Sequence, residues 1–283
     1  MRRHDPVIAF VLSVIVPGLG QLYNNEIRKA IFYFLIILAI IAVMVFSPVM
    51  KYFEGFLAVI GARVLVTLVS VVDAIGVAAN KIEKTERTPR RWLIYVLVLV
   101  IGIWIYSYSS SYLRSHVIRP FKIPTGGMQP TLVEGDRLYA DLDYYKENPV
   151  KPGQIIIFPF PKDTTLAYIQ RCVAVGGDTV EIREKVLYIN GKEVEEHYAL
   201  EYTPRVLDEN YVDQYIVPKG AGNRDHYGPV VVPQGYCFVL GDNRDSSMDS
   251  RYIGMIPLKS VYARPLYIYW SYNRSRIGKN LTK

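Results

Sequence analysis

FKIPTGGMQPTLVEGDRLYAD, Phe121–Asp141, lies just beyond an apolar run long enough to cross a bilayer. Ile-Pro, Gly-Gly and Gln-Pro crowd its first half, which reads as a tight turn. Its second half alternates in the manner of a strand. The chain changes character at this junction. From Val7 to Tyr112, long aliphatic and aromatic runs are broken only by short charged strings. From Ser115 onward, charges, prolines and turn residues occur at the density of a water-exposed domain. Two regions are therefore expected: residues 1–112 as a membrane region of three to four spans, and residues 113–283 as an outer domain.

A spanning helix needs about 20 mostly apolar residues. Ala30–Met50 and Trp92–Tyr112 satisfy this easily. Phe56–Asn80 is long enough but carries Arg63 and Asp73, which must face other helices or water. Val7–Tyr23 contains PGLGQLYN, and Pro17, Gly18 and Gly20 break a regular helix, so a re-entrant or helix-turn element is expected. Continuing apolar runs and the lack of a small-residue cleavage site argue against a signal peptide. The loop KIEKTERTPRR holds five Lys/Arg against three in the flank LRSHVIRPFK. By the positive-inside rule the first is cytoplasmic, which puts residues after 113 on the outer face of the cell membrane.

In the second region the hydrophobic period shifts to alternation. RLYADLDYY, GQIIIFPF, DTVEIREKVLYINGKEV, GPVVVPQGYCFVLGD and SVYARPLYIYW are short runs rich in Val, Ile and Tyr, bounded by turn residues. Asn190-Gly191 suits a type I′ hairpin. With no long amphipathic helix in view, the domain is expected to be mostly antiparallel β, a partly closed barrel or a pair of sheets.

The formal charge is +7, and much of it (Lys81, Lys84, Arg87, Arg90, Arg91) lies beside the apolar runs, where it suits anionic lipid headgroups. No arginine stripe interleaved with aromatics marks the outer domain, so nucleic acid is not an expected partner. Two cysteines and four histidines without ligand spacing give no metal site, and no cofactor is expected. Cys172 and Cys237 read as buried free thiols, with a disulfide open if the compartment is oxidising.

Four segments then come into register: IPTGGMQPTL (Ile123–Leu132), GDRLYAD (Gly135–Asp141), YIQRCVAVGGDTV (Tyr168–Val180) and GDNRDSSMDSR (Gly241–Arg251). In order and spacing they resemble the type I signal peptidases, membrane serine proteases with a Ser/Lys dyad on an outer β domain. The resemblance covers about residues 115–272 and is most specific in its last segment. It implies a signal-peptidase-like β fold and, as partners, the bilayer and the signal peptides of exported preproteins, cleaved after small residues.

The family's first segment reads Pro-Ser-Gly-Ser-Met-x-Pro-Thr, with the Ser before Met as nucleophile, and its third carries the base Lys immediately before Arg. Carried over, the nucleophile position is Gly127 and the base position Gln170. Glycine has no oxygen to attack a carbonyl, and an amide does not accept the proton that a buried, neutral lysine takes. Cleavage by the family mechanism is therefore expected to be absent. The resemblance further implies an oxyanion hole from the Thr125 hydroxyl and the Gly127 N–H, site support from Ser247, Asp249 and Arg251, and an entrance shaped by Met128 and Pro130. Ser247, which bonds the lysine in the family, is free to bond Gln170 here. Three readings stay open. The first is a signal-peptide-binding member with a disabled site, a pseudoenzyme or a partner of an active paralogue. The second is a protease using atypical residues such as Thr125, with Lys122, Lys162, Ser246 or Ser250 in reach. The third is a non-catalytic membrane scaffold.

Overall fold

The computed structural model describes residues 2–80, 82–83, 89–199 and 203–282. Lys81, Lys84 and Arg87, on which the orientation reading leans, lie outside the described residues. The chain divides into two units, Met1–Val117 and Ile118–Lys283.

The first unit opens with strand β1 (Arg2–Arg3), paired antiparallel with β2 (Ile82–Glu83). Helix α1 (Pro6–Ile15) starts where the Asp5 carboxylate accepts the Val7 N–H at 2.8 Å, with Pro6 in the first turn. It stops at Val16-Pro17-Gly18. Gly18 has φ +101°, and a Cβ there would lie 2.6 Å from the Ala30 carbonyl oxygen. The chain then turns into α2 (Leu19–Tyr23), so PGLGQLYN is the helix-turn element that its glycines and proline demand.

Three helices follow that are long and apolar enough to cross a membrane: α3 (Ile27–Phe46), α4 (Phe53–Asn80) and α5 (Pro89–Tyr112), the last prolonged by a π turn over Leu113–Val117. The turn element is stitched to α4 by polar bonds. Gly18 donates its N–H to Ser70 Oγ at 3.2 Å, Gln21 Nε2 to the Ser70 carbonyl at 2.6 Å, and Asn24 Nδ2 to the Ala74 carbonyl at 2.7 Å. Around them Ala9, Leu19, Tyr23, Ala74 and Ala78 close the packing. A Cβ on Gly20 would meet Ser13 Oγ at 2.1 Å, so the two segments approach as closely as small residues allow. Besides Glu54 in its first turn, α4 carries two charges farther along, and both find neighbours: Asp73 pairs with Lys29 at 2.6 Å, and Arg63 lies over the Tyr106 ring at 4.4 Å.

The second unit is antiparallel β, built from β3 (Ile118–Lys122), β4 (Arg137–Asp141), β5 (Ile155–Phe160), β6 (Asp163–Val175), β7 (Thr179–Arg183), β8 (Val186–Ile189), β9 (Lys192–Glu193), β10 (Tyr227–Val231), β11 (Tyr236–Leu240), β12 (Ile256–Pro257) and β13 (Arg264–Trp270). Short helical turns α6 (Tyr144–Glu147) and α7 (Ser250–Ile253) interrupt them. The three sheets are ordered β13-β4-β3, β12-β11-β6-β5 and β10-β7-β8-β9. An isolated bridge between Ile157 and Ala263 links the first two. Ile123, Met128, Leu132, Leu138, Ile157 and Ile268 fill the core between them. The longest strand, β6, is exposed over its first half and buried from Gln170 to Ala174, where β5 and β11 flank it.

The β8–β9 hairpin turns on Asn190 (φ 55°) and Gly191 (φ 76°), as Asn-Gly predicts. A second tight turn, between β7 and β8, has positive φ at Glu184 and Lys185, neither a glycine. Tertiary bonds hold it: Lys185 Nζ is buried and donates to Asp245 Oδ1 at 2.9 Å and to the Thr203 carbonyl at 2.9 Å. Two apolar runs are shorter as strands than alternation suggests. RLYADLDYY leaves the sheet at Asp141 and coils into α6, and GPVVVPQGYCFVLGD is cut by Pro233-Gln234-Gly235 into strands of two different sheets. Cys172 and Cys237 are fully buried free thiols on adjacent strands. The Cys237 thiol and burial push the Cys172 thiol well above its ordinary range.

Candidate active site

Three segments converge: the turn 123–131, the middle of β6, and the loop 241–251. Met128 anchors the turn by burial, with Ile123 and Leu132 beneath it, while Thr125 and Pro130 are exposed. Asn243 fastens the turn from above. Its backbone N–H donates to the Gly127 carbonyl at 3.2 Å and its Nδ2 to the Gly126 carbonyl at 3.0 Å. This approach is possible only because residue 241 is glycine. A Cβ there would stand 2.1 Å from Ser247 Oγ and 2.4 Å from the Gly127 carbonyl oxygen.

Gly127 is different. It does not adopt the left-handed backbone that favours glycine, and a Cβ on it would lie 3.7 Å from the Ser246 carbonyl oxygen and 3.9 Å from Ser247 Oγ. These are ordinary van der Waals distances. Neither backbone conformation nor space requires glycine at 127.

Gln170 is 4% exposed and lies on β6 opposite Ile156. Its Nε2 donates to Ser247 Oγ at 3.3 Å, and Ser247 Oγ lies 3.4 Å from Gln170 Oε1. Both contacts are long for hydrogen bonds. Gly127, Ser247 and Gln170 thus form one line of neighbours. Of the other hydroxyls and amines within reach in sequence, Lys122 and Lys162 are exposed, and Ser250 is buried with its Oγ accepting the Val239 N–H at 2.9 Å.

Buried ion pairs fix the loop. Asp249 meets Arg251 in a two-pronged pair, at 2.9 Å to Nε and 2.8 Å to Nη2, and accepts the Gly241 N–H at 3.1 Å. Arg251 spends its other donors on the Arg244 carbonyl (2.7 Å) and the Arg224 carbonyl (3.0 Å). Burial opposes the Arg251 charge, but Asp249 outweighs it and the net direction of the pKa is upward. Asp242 forms a second two-pronged pair with Arg171, at 2.8 and 2.7 Å, and the guanidinium also stacks 3.8 Å from the Tyr198 ring centre. Arg244 pairs with Glu196. Asp245 receives Lys185 and Thr203. Burial works to raise its pKa, but these bonds carry it down to about 2. At the far end of the turn, Arg276 binds Asp136 at 2.7 Å and the Thr131 carbonyl at 2.8 Å. Burial again works upward on the Asp136 carboxyl, and Arg276 carries the net shift below the ordinary range.

Gly127, Gln170, Ser247, Asp249 and Arg251 are therefore brought together. Asn243, Gly241 and the Arg171–Asp242 pair complete the arrangement and are not singled out by the sequence reading. Gly241, Asp242 and Asn243 lie within GDNRDSSMDSR and Arg171 within YIQRCVAVGGDTV, and only tertiary pairing distinguishes their tasks. Among the described residues there is no group of three or more His, Cys, Asp or Glu able to hold a metal ion.

A family profile described as "Signal peptidase, peptidase S26" matches residues 90–270. A second, "Family of unknown function (DUF5683)", matches residues 2–126. Signal peptidase I of Bacillus licheniformis is 34% identical over 195 residues, 69% of this chain and 97% of that protein. Signal peptidase I of Bacillus caldolyticus is 29% identical over 192 residues, 68% and 96% of the two chains. Signal peptidase IB of Staphylococcus aureus MRSA252 is 28% identical over 189 residues, 67% and 93%. A signal peptidase I crystal structure from Enterococcus faecalis V583 is 34% identical and covers 41% of this chain and 97% of its own, with a TM-score of 0.32, too low to support an argument. The profile extends over helix α5, the turn, β6 and the 241–251 loop, and this chain belongs to the signal peptidase, peptidase S26, family.

Proposed function

We propose that the protein is a multi-pass member of this family whose β unit, held on the outer face of the cell membrane by residues 1–112, binds signal peptides without cleaving them. Gly127 occupies the nucleophile position and Gln170 the position of the general base. The observation that carries this reading is the line Gly127–Ser247–Gln170. A Cβ on 127 would fit at ordinary van der Waals distance, 3.9 Å from Ser247 Oγ, which already contacts the buried end of residue 170. That is the geometry a Ser/Lys dyad needs, with both reacting groups missing. Thr125 offers a poor substitute, being exposed and, among the described residues, bonded to no lysine or histidine. Binding is left intact in principle, because an extended peptide is recognised mainly through backbone bonds to a strand edge and shallow side-chain pockets.

Gly127→Ser with Gln170→Lys is expected to restore cleavage of a preprotein bearing an A-x-A-type signal, assayed in detergent or vesicles. Neither single substitution restores it, because removing either member of such a pair costs several orders of magnitude. A folded double variant that stays inert refutes the assignment. Turnover by the unmodified protein that is lost in Thr125→Ala would favour an atypical protease instead. Photo-cross-linking of a signal peptide to the unmodified protein, against an unrelated membrane protein as control, separates a binding role from a scaffold.

A further inference from the structure

Arg63 stands in the middle of α4 and is exposed. Its guanidinium rests on the Tyr106 ring, and among the described residues no carboxylate lies within ion-pair distance of it. Of the two acidic residues of this helix, Glu54 lies in the first turn and Asp73 has Lys29 at 2.6 Å. A cation on a spanning helix without an anion is costly in hydrocarbon and points to a ligand or partner.

Its level in the membrane follows from helix geometry. Asn80 and Pro89 are joined by a short connection, so the Phe53 end of α4 lies at the same side as the Tyr112 end of α5. At 1.5 Å per residue, Arg63 is about 15 Å from the Phe53 end and Tyr106 about 9 Å from the Tyr112 end. Helical side chains lean toward the N-terminus of their own helix, so Arg63 reaches toward that same side. Tyr52, Tyr106, Tyr108 and Tyr112 are all exposed at that end, as an interfacial aromatic belt requires. The guanidinium thus reaches from the middle of α4 toward the headgroup layer at that end.

A cavity of about 250 Å³ opens beside it. The end of α1, the outer part of α3 and the last third of α5 form its walls, with Val16, Ile37, Ile41, Met44 and Ile103 among the lining residues. Arg63 is its one charged side chain, and Tyr106 stands at the same wall.

We propose that Arg63 and this cavity bind one anionic phospholipid from the leaflet at the Tyr112 end of α5, with its phosphate on the guanidinium and an acyl chain in the cavity. Both halves of the site match that ligand: a cation that reaches toward the headgroups and a hydrocarbon-lined chamber beside it. A transmembrane helix fits neither half. With a diameter of about 10 Å it is several times too bulky for the chamber, and an uncharged signal-peptide helix leaves Arg63 without its anion. The site lies wholly within the first unit and does not depend on the state of the peptidase site.

Native mass spectrometry of the full chain, released from vesicles of phosphatidylglycerol mixed with phosphatidylcholine, tests this. One phosphatidylglycerol should be retained per protein, preferred about fivefold over phosphatidylcholine, the ratio that a single basic side chain near an anionic surface supplies. Arg63→Lys should keep the preference and Arg63→Gln abolish it. Ile41→Phe, which fills the chamber, should lower retention of both lipids. Equal retention of the two lipids by the unmodified protein overturns the proposal, and that comparison needs no variant to fold. An undiminished preference in Arg63→Gln overturns it as well. So does a photo-cross-linker on the chamber wall that captures peptide instead of lipid.

Discussion

Gln170→Lys places an amine where the side chain is 4% exposed and where Ser247 Oγ is its one polar neighbour of note. Burial of this kind lowers a lysine pKa by up to 3–5 units, and a depression of about 3 units brings it from about 10.4 to about 7.4. At about 1.36 kcal/mol per unit, the protonated variant is then destabilised by about 4 kcal/mol relative to a site that leaves the ordinary pKa untouched. The sign follows from linkage. The folded pKa lies below the unfolded one, so the unfolded state binds more protons between them, and stability rises with pH across that window. Thermal unfolding of the full-length variant in detergent, scanned from pH 6 to pH 10 beside the unmodified protein, should show a gap that is widest at pH 6 and closes toward pH 10. In the double variant with Gly127→Ser, cleavage should rise with pH through the same folded pKa, because the neutral amine is the form that takes the serine proton. A gap that does not change with pH would mean that position 170 is not desolvated as a base pocket must be, and the dyad assignment would lose its physical ground.

Gly241→Ala drives a methyl group to 2.1 Å from Ser247 Oγ and 2.4 Å from the Gly127 carbonyl. It should cost about 1–3 kcal/mol, whereas Gly127→Ser, whose Cβ finds ordinary van der Waals distances, should stay within about 1 kcal/mol of the unmodified protein; thermal melts of both compare the two directly. Arg171→Met leaves Asp242 buried and unpaired, and a loss of about 3–5 kcal/mol is expected in the same assay. In acid, Asp245 and Asp136, both held below the ordinary carboxylate range, contribute stability that is present above the unfolded pKa of about 4 and lost as pH falls toward 2. Lys185→Met should flatten that acid limb, and an unchanged limb would show that the Asp245 pair does not carry it.

The long apolar helices were legible because a run such as AIFYFLIILAIIAVMVF is apolar over its whole length, yet the helix boundaries were not. Helix α3 begins at Ile27 and not Ala30, since the polar residues of its first turn stay helical when Lys29 has Asp73 to bind across the unit. Asn190-Gly191 announced its turn through backbone preference alone. Glu184-Lys185 did not, because its positive φ values are held by Asp245, 60 residues away. The site shows the same division. Position and order of the four segments were readable, whereas the pairing of Arg171 with Asp242, 71 residues apart, is a product of the closed sheet and has no local signature.

On the proposed reading, this division explains why so complete a site frame accompanies a missing dyad. The side chains of Asp242, Asn243, Asp245, Asp249 and Arg251 each bond buried or half-buried partners at 2.7–3.0 Å, so replacing any of them leaves a charge or carbonyl of the domain unmet. Positions 127 and 170 carry no such duty. The first has ordinary van der Waals room for a side chain, and among the described residues the side chain of the second makes only the two long contacts to Ser247. The groups that perform chemistry are thus the ones the fold needs least, and a catalytic lysine is a cost to it, as an amine in a desolvated pocket. On that reading, glycine at 127 and glutamine at 170 would remove the reaction while sparing the loop, the ion pairs and the strand that position them. A well-kept GDNRDSSMDSR segment therefore reports the integrity of the domain, and activity has to be read at the two positions that stability does not guard.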